Sequence, residues 1–128
     1  MSYTRLLFTW LLLAVLMPLN GILREFGLKR FLPATAADWA SAATGIAIIL
    51  VTTRLLFRVP ADAPSVRLAA QAMLLVLLTV AYEFGIGLMG GQSLAELSGH
   101  YALWRGEAWP LVLLALGATP FLWRGLAR

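Results

Sequence analysis

The residue best suited to chemistry in this chain is Glu83, a carboxylate inside the apolar stretch from Leu68 to Met89. An ionisable group is costly in hydrocarbon, and such groups mark proton relays, substrate paths or buried ion pairs. We therefore expect Glu83 to bind a ligand, to exchange a proton or to pair with a cation.

Arg24 is the predicted partner of Glu83. The first apolar stretch ends at Asn20, Arg24 and Glu25, at the same expected depth as Glu83. Asn20 and Arg24 share a helix face because they are four residues apart. We predict a polar cluster of Asn20, Arg24, Glu83 and Tyr82, covered by a segment that carries His100, Tyr101 and Arg105.

Two interpretations of this cluster stay open. A structural salt bridge would fasten the first apolar helix to the third, since charges inside membranes often pair with one another. A ligand or proton site would use the same residues, since perturbed carboxylates also mark functional sites.

Catalytic, metal and haem sites are not expected. Glu96 and His100 are four residues apart, but a single His, the absence of Cys and the lack of a second ligand pair argue against metal. Ser93 lacks the strand-turn-helix context of a serine nucleophile. We expect no catalytic residue, no cofactor and no enzyme activity.

The elements that position these residues are predicted to be membrane helices. Of 128 residues, 61% are hydrophobic and 12% charged, whereas soluble domains carry about a quarter charged residues. We predict an all-α integral membrane protein, an antiparallel four-helix bundle forming one domain over 1–128. The predicted spans cover residues 6–23, 39–57, 68–89 and 108–123, with linkers at 21–38 and 58–67.

A short interfacial helix is predicted over 93–104, between the third and fourth spans. Gly90 and Gly91 end the third span, and Ser93 with Glu96 has the spacing of a capping box. Apolar residues then recur at helical spacing, which is typical of a helix in the interface plane.

The charge distribution predicts the orientation. With four spans both termini share a side, and that side would carry six of the ten basic residues, including Arg54, Arg58 and Arg67. The excess of Lys and Arg places both termini in the cytoplasm. The three named arginines would anchor lipid headgroups, which accounts for the net charge of +4 without a nucleic-acid partner.

The polar residues also form a recognisable pattern: N-G-I-L-R-E from Asn20, Y-E-F-G-I-G from Tyr82, G-Q-S from Gly91, Tyr101, and R-G-E-A-W-P-L from Arg105. This resembles a group of small four-span bacterial inner-membrane proteins without an assigned activity. The resemblance implies a bacterial membrane protein with its polar cluster at one face, and it implies no substrate.

Two function classes follow from these observations. The first is a small membrane binding or accessory protein, with the lipid bilayer, a larger membrane complex or a second copy of itself as partners. The alternative is a proton-coupled small-molecule transporter that acts as a dimer, with Glu83 as the coupling carboxylate. A lipid-modifying enzyme is less well supported because no nucleophile and base pair is visible.

Overall fold

The computed structural model describes residues 2–99 and 109–126, and within these ranges all regular structure is helical. The helices are α1 (Tyr3–Leu23), a π-helical segment (Arg24–Leu28), α2 (Lys29–Phe31), α3 (Ala34–Leu56), α4 (Ser65–Met89), α5 (Leu94–Gly99) and α6 (Trp109–Leu126).

The first helical rod is longer than the sequence indicates. Ser2 begins it, since its hydroxyl accepts a hydrogen bond from the Arg5 amide at 3.2 Å. The π-helical segment and α2 continue α1 without a break to Phe31. The predicted linker over 21–38 is therefore wrong for most of its length. Leu32 is extended before Pro33, as expected for a residue that precedes proline.

The other long helices agree better with the predicted spans. Four rods, with bounds Tyr3–Phe31, Ala34–Leu56, Ser65–Met89 and Trp109–Leu126, are long and apolar enough to cross a membrane. Each extends beyond its predicted span at one end or both, because propensity continues into polar flanking turns where hydrophobicity has already fallen. Residues 57–64 connect α3 to α4 and contain Pro60 and Pro64.

One end of the molecule is held together by arginines, and we name it the basic end. Arg5 donates to the Leu56 carbonyl at 2.9 Å, which joins the start of α1 to the finish of α3. Arg124 donates to the Ala63 carbonyl at 3.1 Å and to the Ser65 hydroxyl at 2.8 Å. The basic end is therefore formed by the starts of α1 and α4 and the ends of α3 and α6.

The interior combines apolar packing with hydrogen bonds between helices. Leu6, Leu68 and Leu75 are fully buried in the core. Trp123 donates from its indole nitrogen to Thr53 at 2.8 Å, and Trp10 donates to Thr79 at 3.0 Å. These bonds join α6 to α3 and α1 to α4, so each pair of helices has a defined register.

The short helix α5 has the capping box that its sequence predicts. The Glu96 amide donates to the Ser93 hydroxyl at 3.1 Å, and the Glu96 carboxylate accepts from the Ser93 amide at 3.4 Å. Gly91 precedes it with φ of 92°, a left-handed conformation that favours glycine. The helix is described over Leu94–Gly99, and the remainder of the predicted segment, 100–104, lies outside the described residues.

Candidate functional site: a cavity opposite the basic end

A cavity of about 630 Å³ lies at the end of the molecule opposite the basic end. Its wall includes residues from α1 and the π-helical segment, from α3, α4 and α5, and from the start of α6. Its polar lining includes Asn20, Arg24, Lys29, Asp38, Glu83 and Gln92.

Three ion pairs line this cavity. The Arg24 Nε lies 3.5 Å from the Glu25 carboxylate and 3.8 Å from the Asp38 carboxylate. Lys29 donates to Glu25 at 3.0 Å. Side chains of both charges are therefore available to a ligand in the same cavity.

These contacts correct the predicted pairing of Arg24 with Glu83. Both residues line the cavity, as expected from their depth. Among the described residues, however, the ion pairs of Arg24 are formed with Glu25 and Asp38. The difference follows from the longer first rod and the earlier start of α3, which bring Asp38 close to Arg24.

The π-helical segment helps to place the charged side chains. It begins at Arg24 and ends at Leu28, within an otherwise α-helical rod. A π-helical turn changes the direction in which the following side chains project, and such turns occur frequently at functional sites. Arg24, Glu25 and Lys29 all line the same cavity.

Asn20 belongs to a hydrogen-bonded contact between α1 and α3. Its amide nitrogen donates to the Ser41 carbonyl at 3.0 Å, and its amide oxygen accepts from the Thr44 hydroxyl at 2.9 Å. Asn20 is buried and also lines the cavity. Asn20 therefore fixes one wall of the site. The sequence predicts Asn20 only as a member of the polar cluster.

Tyr82 and Glu83 lie on α4 and line the cavity. The Tyr82 hydroxyl donates to the Ala14 carbonyl at 3.0 Å, and its ring meets that of Trp10 edge to face at 5.6 Å between centroids. The contact joins α1 and α4 directly below the cavity. Tyr82 is thus a packing residue that borders the site.

Two residues that line the cavity each carry a buried donor that makes no hydrogen bond within the described part of the chain. These donors are the Nε of Arg24 and the indole nitrogen of Trp109. Leaving a buried donor without an acceptor costs about 1–3 kcal/mol. Both groups can only donate, so an acceptor oxygen that reached either of them would relieve this cost.

The wall between α1 and α4 is partly apolar and reaches the surface. Pro18 on α1 and Ile86 on α4 both line the cavity and are both exposed. Met17, Leu97 and Val112 continue the apolar lining inward. The cavity is therefore bordered on this side by exposed apolar side chains, while Glu25, Lys29 and Asp38 are exposed on its polar side.

Sequence reasoning identified Asn20, Arg24, Tyr82 and Glu83 as neighbours, and the structure brings all four to one cavity. Sequence reasoning does not identify four further lining residues, because it places them in linkers or at an interface: Lys29, Asp38, Gln92 and Trp109. The four-residue spacing of Glu25 and Lys29 was a usable signal for a helix there. The predicted cover residues His100, Tyr101 and Arg105 lie outside the described residues.

The predicted headgroup-anchoring residues lie at the basic end. Arg54 is stacked over the Trp123 ring at 5.4 Å and Arg67 over the Tyr3 ring at 5.4 Å. Arg54, Arg58 and Arg67 are all exposed. They are separate from the cavity.

Within residues 2–99 and 109–126, no three acidic or histidine side chains are close enough together to hold a metal ion. Comparison of the chain with protein-family models, with curated proteins and with solved structures gave no match.

Proposed function

We propose that this protein is a small integral membrane binding protein, and that its cavity holds a polar or amphipathic ligand in support of a larger membrane complex. The observation that carries the proposal is the cavity of about 630 Å³, whose lining carries both charges. A space of this size is typical of small-molecule sites, which are about 300–1,000 Å³.

The proposed setting is a bacterial inner membrane, crossed by the four long helices as an antiparallel bundle. Many of their large apolar side chains are exposed, including Phe8, Leu11 and Leu77. A protein surface of this kind is suited to lipid rather than water. The resemblance of the polar motifs to small four-span bacterial proteins supports the same setting.

The position of the cavity relative to the bilayer follows from helix geometry. The rise from Tyr3 to Arg24 is roughly 30 Å, which equals the hydrocarbon thickness of a bilayer. The basic end would then lie at one membrane surface and the cavity at the other. The arginines of the basic end favour the cytoplasmic side for both termini, so the cavity would face the outer side.

The proposal is tested by a variant that fills the cavity. Gly21 lines the cavity, and a Cβ at this position would have no heavy atom within 4 Å. We expect Gly21→Leu to fill part of the cavity and so prevent ligand binding, without a steric clash at position 21. Gly85→Leu is the matched control, because Gly85 also has open space and does not line the cavity.

The measurement is native mass spectrometry of protein extracted from bacterial membranes in a mild maltoside detergent. We expect a stoichiometric small-molecule adduct on the unaltered protein and on Gly85→Leu, and its loss from Gly21→Leu. An unaltered protein without any adduct, or one adduct present equally in both variants, would contradict a binding function for the cavity.

A proton-coupled transporter is the second candidate, supported by the position of Glu83 inside α4 and on the cavity wall. Transport also needs a path past the core at Leu13, Leu75 and Leu116, all of which are buried. Because Gln keeps the shape of Glu and removes its titration, Glu83→Gln would abolish pH-driven substrate flux in proteoliposomes. A binding protein would show no such flux before or after the substitution.

A further inference from the structure

We infer that the ligand of this cavity is a membrane phospholipid with a zwitterionic headgroup, made of a phosphate and an ammonium, whose chains stay in the bilayer. The inference rests on the proposed binding function and names the ligand class of the same cavity. Four observations carry it: the orphaned donors, the mixed charge of the wall, the side opening and the depth.

The orphaned donors indicate an oxyanion. Arg24 and Trp109 line the cavity, and among the described residues their Nε and Nε1 atoms are buried without a hydrogen-bond acceptor. The Glu25 and Asp38 carboxylates lie 3.5 and 3.8 Å from the Arg24 Nε, which are ion-pair distances longer than those of a good hydrogen bond. A phosphate offers several acceptor oxygens and is the group that arginine recognises best.

The mixed charge of the wall indicates an ammonium beside that oxyanion. A ligand with negative charge alone would also meet the carboxylates of Glu25, Asp38 and Glu83. A ligand with positive charge alone would meet Arg24 and Lys29. A zwitterion can exchange partners with the existing ion pairs and leaves the total charge of the site unchanged.

The side opening indicates that the ligand comes from the bilayer. Pro18 and Ile86 form exposed, apolar borders of the cavity on α1 and α4. Below them the Tyr82 hydroxyl binds the Ala14 carbonyl and closes the gap between the same two helices. A headgroup can therefore enter above this contact while its acyl chains lie along the apolar outer surface.

The depth agrees with this geometry. Arg24 lies roughly 30 Å along the rod from Tyr3 and Glu83 roughly 27 Å along α4 from Ser65, at about 1.5 Å per residue. Both positions fall near the boundary between hydrocarbon and headgroups. The headgroups of the surrounding phospholipids lie at the same depth in the bilayer.

The experiment measures lipid adducts by native mass spectrometry on delipidated protein in a maltoside detergent. Three lipids with identical acyl chains are compared: phosphatidylethanolamine, phosphatidylglycerol and diacylglycerol. We expect phosphatidylethanolamine to bind at least about tenfold more tightly than either of the others. Equal or tighter binding of phosphatidylglycerol or diacylglycerol overturns the inference.

Variants assign the binding to the cavity. Gly21→Leu is expected to weaken phosphatidylethanolamine binding about tenfold or more, whereas Gly85→Leu leaves it unchanged. Trp109→Phe keeps an aromatic ring without its donor and should reduce the preference for phosphatidylethanolamine over diacylglycerol. An unchanged preference in Trp109→Phe, or equal binding by both glycine variants, contradicts the assigned site.

A further comparison separates a bilayer lipid from a free headgroup. Glycerophosphoethanolamine has the same headgroup without chains, and we expect it to compete with the lipid only weakly. Competition at the affinity of the whole lipid overturns the bilayer source. A stoichiometric adduct that is lost in Gly21→Leu but is not a zwitterionic phospholipid refutes this inference and leaves the binding function standing.

Discussion

At the scale of single residues, Asn20 connects α1 to α3 and shapes the cavity. Replacing it with Leu keeps the branching of the side chain but removes the donor to Ser41 and the acceptor for Thr44. Hydrogen bonds between helices in lipid contribute about 0.6 kcal/mol on average and up to about 2 kcal/mol. We expect Asn20→Leu to lower the free energy of unfolding by about 1 kcal/mol, measured by titration with a denaturing detergent.

Thr44→Val is the partner variant for Asn20→Leu, because it removes the hydrogen bond between the Thr44 hydroxyl and the Asn20 amide oxygen from the other side. The Thr44 hydroxyl also lies 2.9 Å from the Ser41 carbonyl, but its single proton can be donated to only one of these two acceptors at a time. The Ser41 carbonyl still accepts from the Asn20 amide in Thr44→Val. If Asn20 and Thr44 act together, the double variant loses less stability than the sum of the single variants. Strict additivity would show that the bond contributes little.

Individual residues also show where sequence reasoning was sufficient. Asn20, Arg24 and Glu83 were placed together because helix rise sets their depth, which needs only counting along the chain. The choice of Asp38 as a partner of Arg24 could not be made in this way. It depends on how far the first rod continues and how its π-helical segment turns the side chains, and both are effects of packing.

At the scale of elements, Gly87 lets α5 dock against α4. A Cβ at Gly87 would overlap the Leu97 side chain and would meet the Gln92 side-chain oxygen at 3.0 Å. We expect Gly87→Ala to destabilise the protein by about 1–3 kcal/mol, as overpacking does in well-packed cores. The measurement is the melting temperature in detergent, followed by circular dichroism.

The matched control for Gly87→Ala is Gly85→Ala, two residues earlier in the same helix. A Cβ there would have open space, and Ala is the better helix former by up to about 1 kcal/mol. The melting temperature should therefore fall for Gly87→Ala and stay level or rise for Gly85→Ala. Equal shifts in the two variants would remove the case for close packing at Gly87.

Element boundaries show the limit of hydrophobicity as a signal. The sequence predicts the capping box of Ser93 and Glu96 correctly because the hydrogen bonds of this motif are local. The polarity of the stretch from Arg24 to Phe31 predicts a linker, yet this stretch is helical. Apolar content indicates which part of a helix could contact lipid, whereas capping residues and proline indicate where the helix ends.

At the scale of the whole molecule, the two ends differ in charge chemistry, and this difference predicts the orientation. Arginines at the basic end contact backbone carbonyls and aromatic rings, while the ion pairs of Arg24 and Lys29 lie at the cavity end. Positive charge is retained on the cytoplasmic side of membrane proteins. We therefore expect the loop before α4 to be cytoplasmic and the turn before α5 to face outward.

The absence of Cys from the sequence allows this orientation to be measured directly. Single cysteines are introduced as Ala61→Cys, in the loop between α3 and α4, and as Gln92→Cys, in the turn before α5. A maleimide that cannot cross membranes should label Gln92→Cys on intact cells and Ala61→Cys only after permeabilisation. Labelling of both positions from the same side would show that α4 does not cross the membrane, because these two positions flank that helix. Labelling with the sides reversed would mean that the cavity opens toward the cytoplasm, so that a lipid entering between α1 and α4 would come from the inner leaflet.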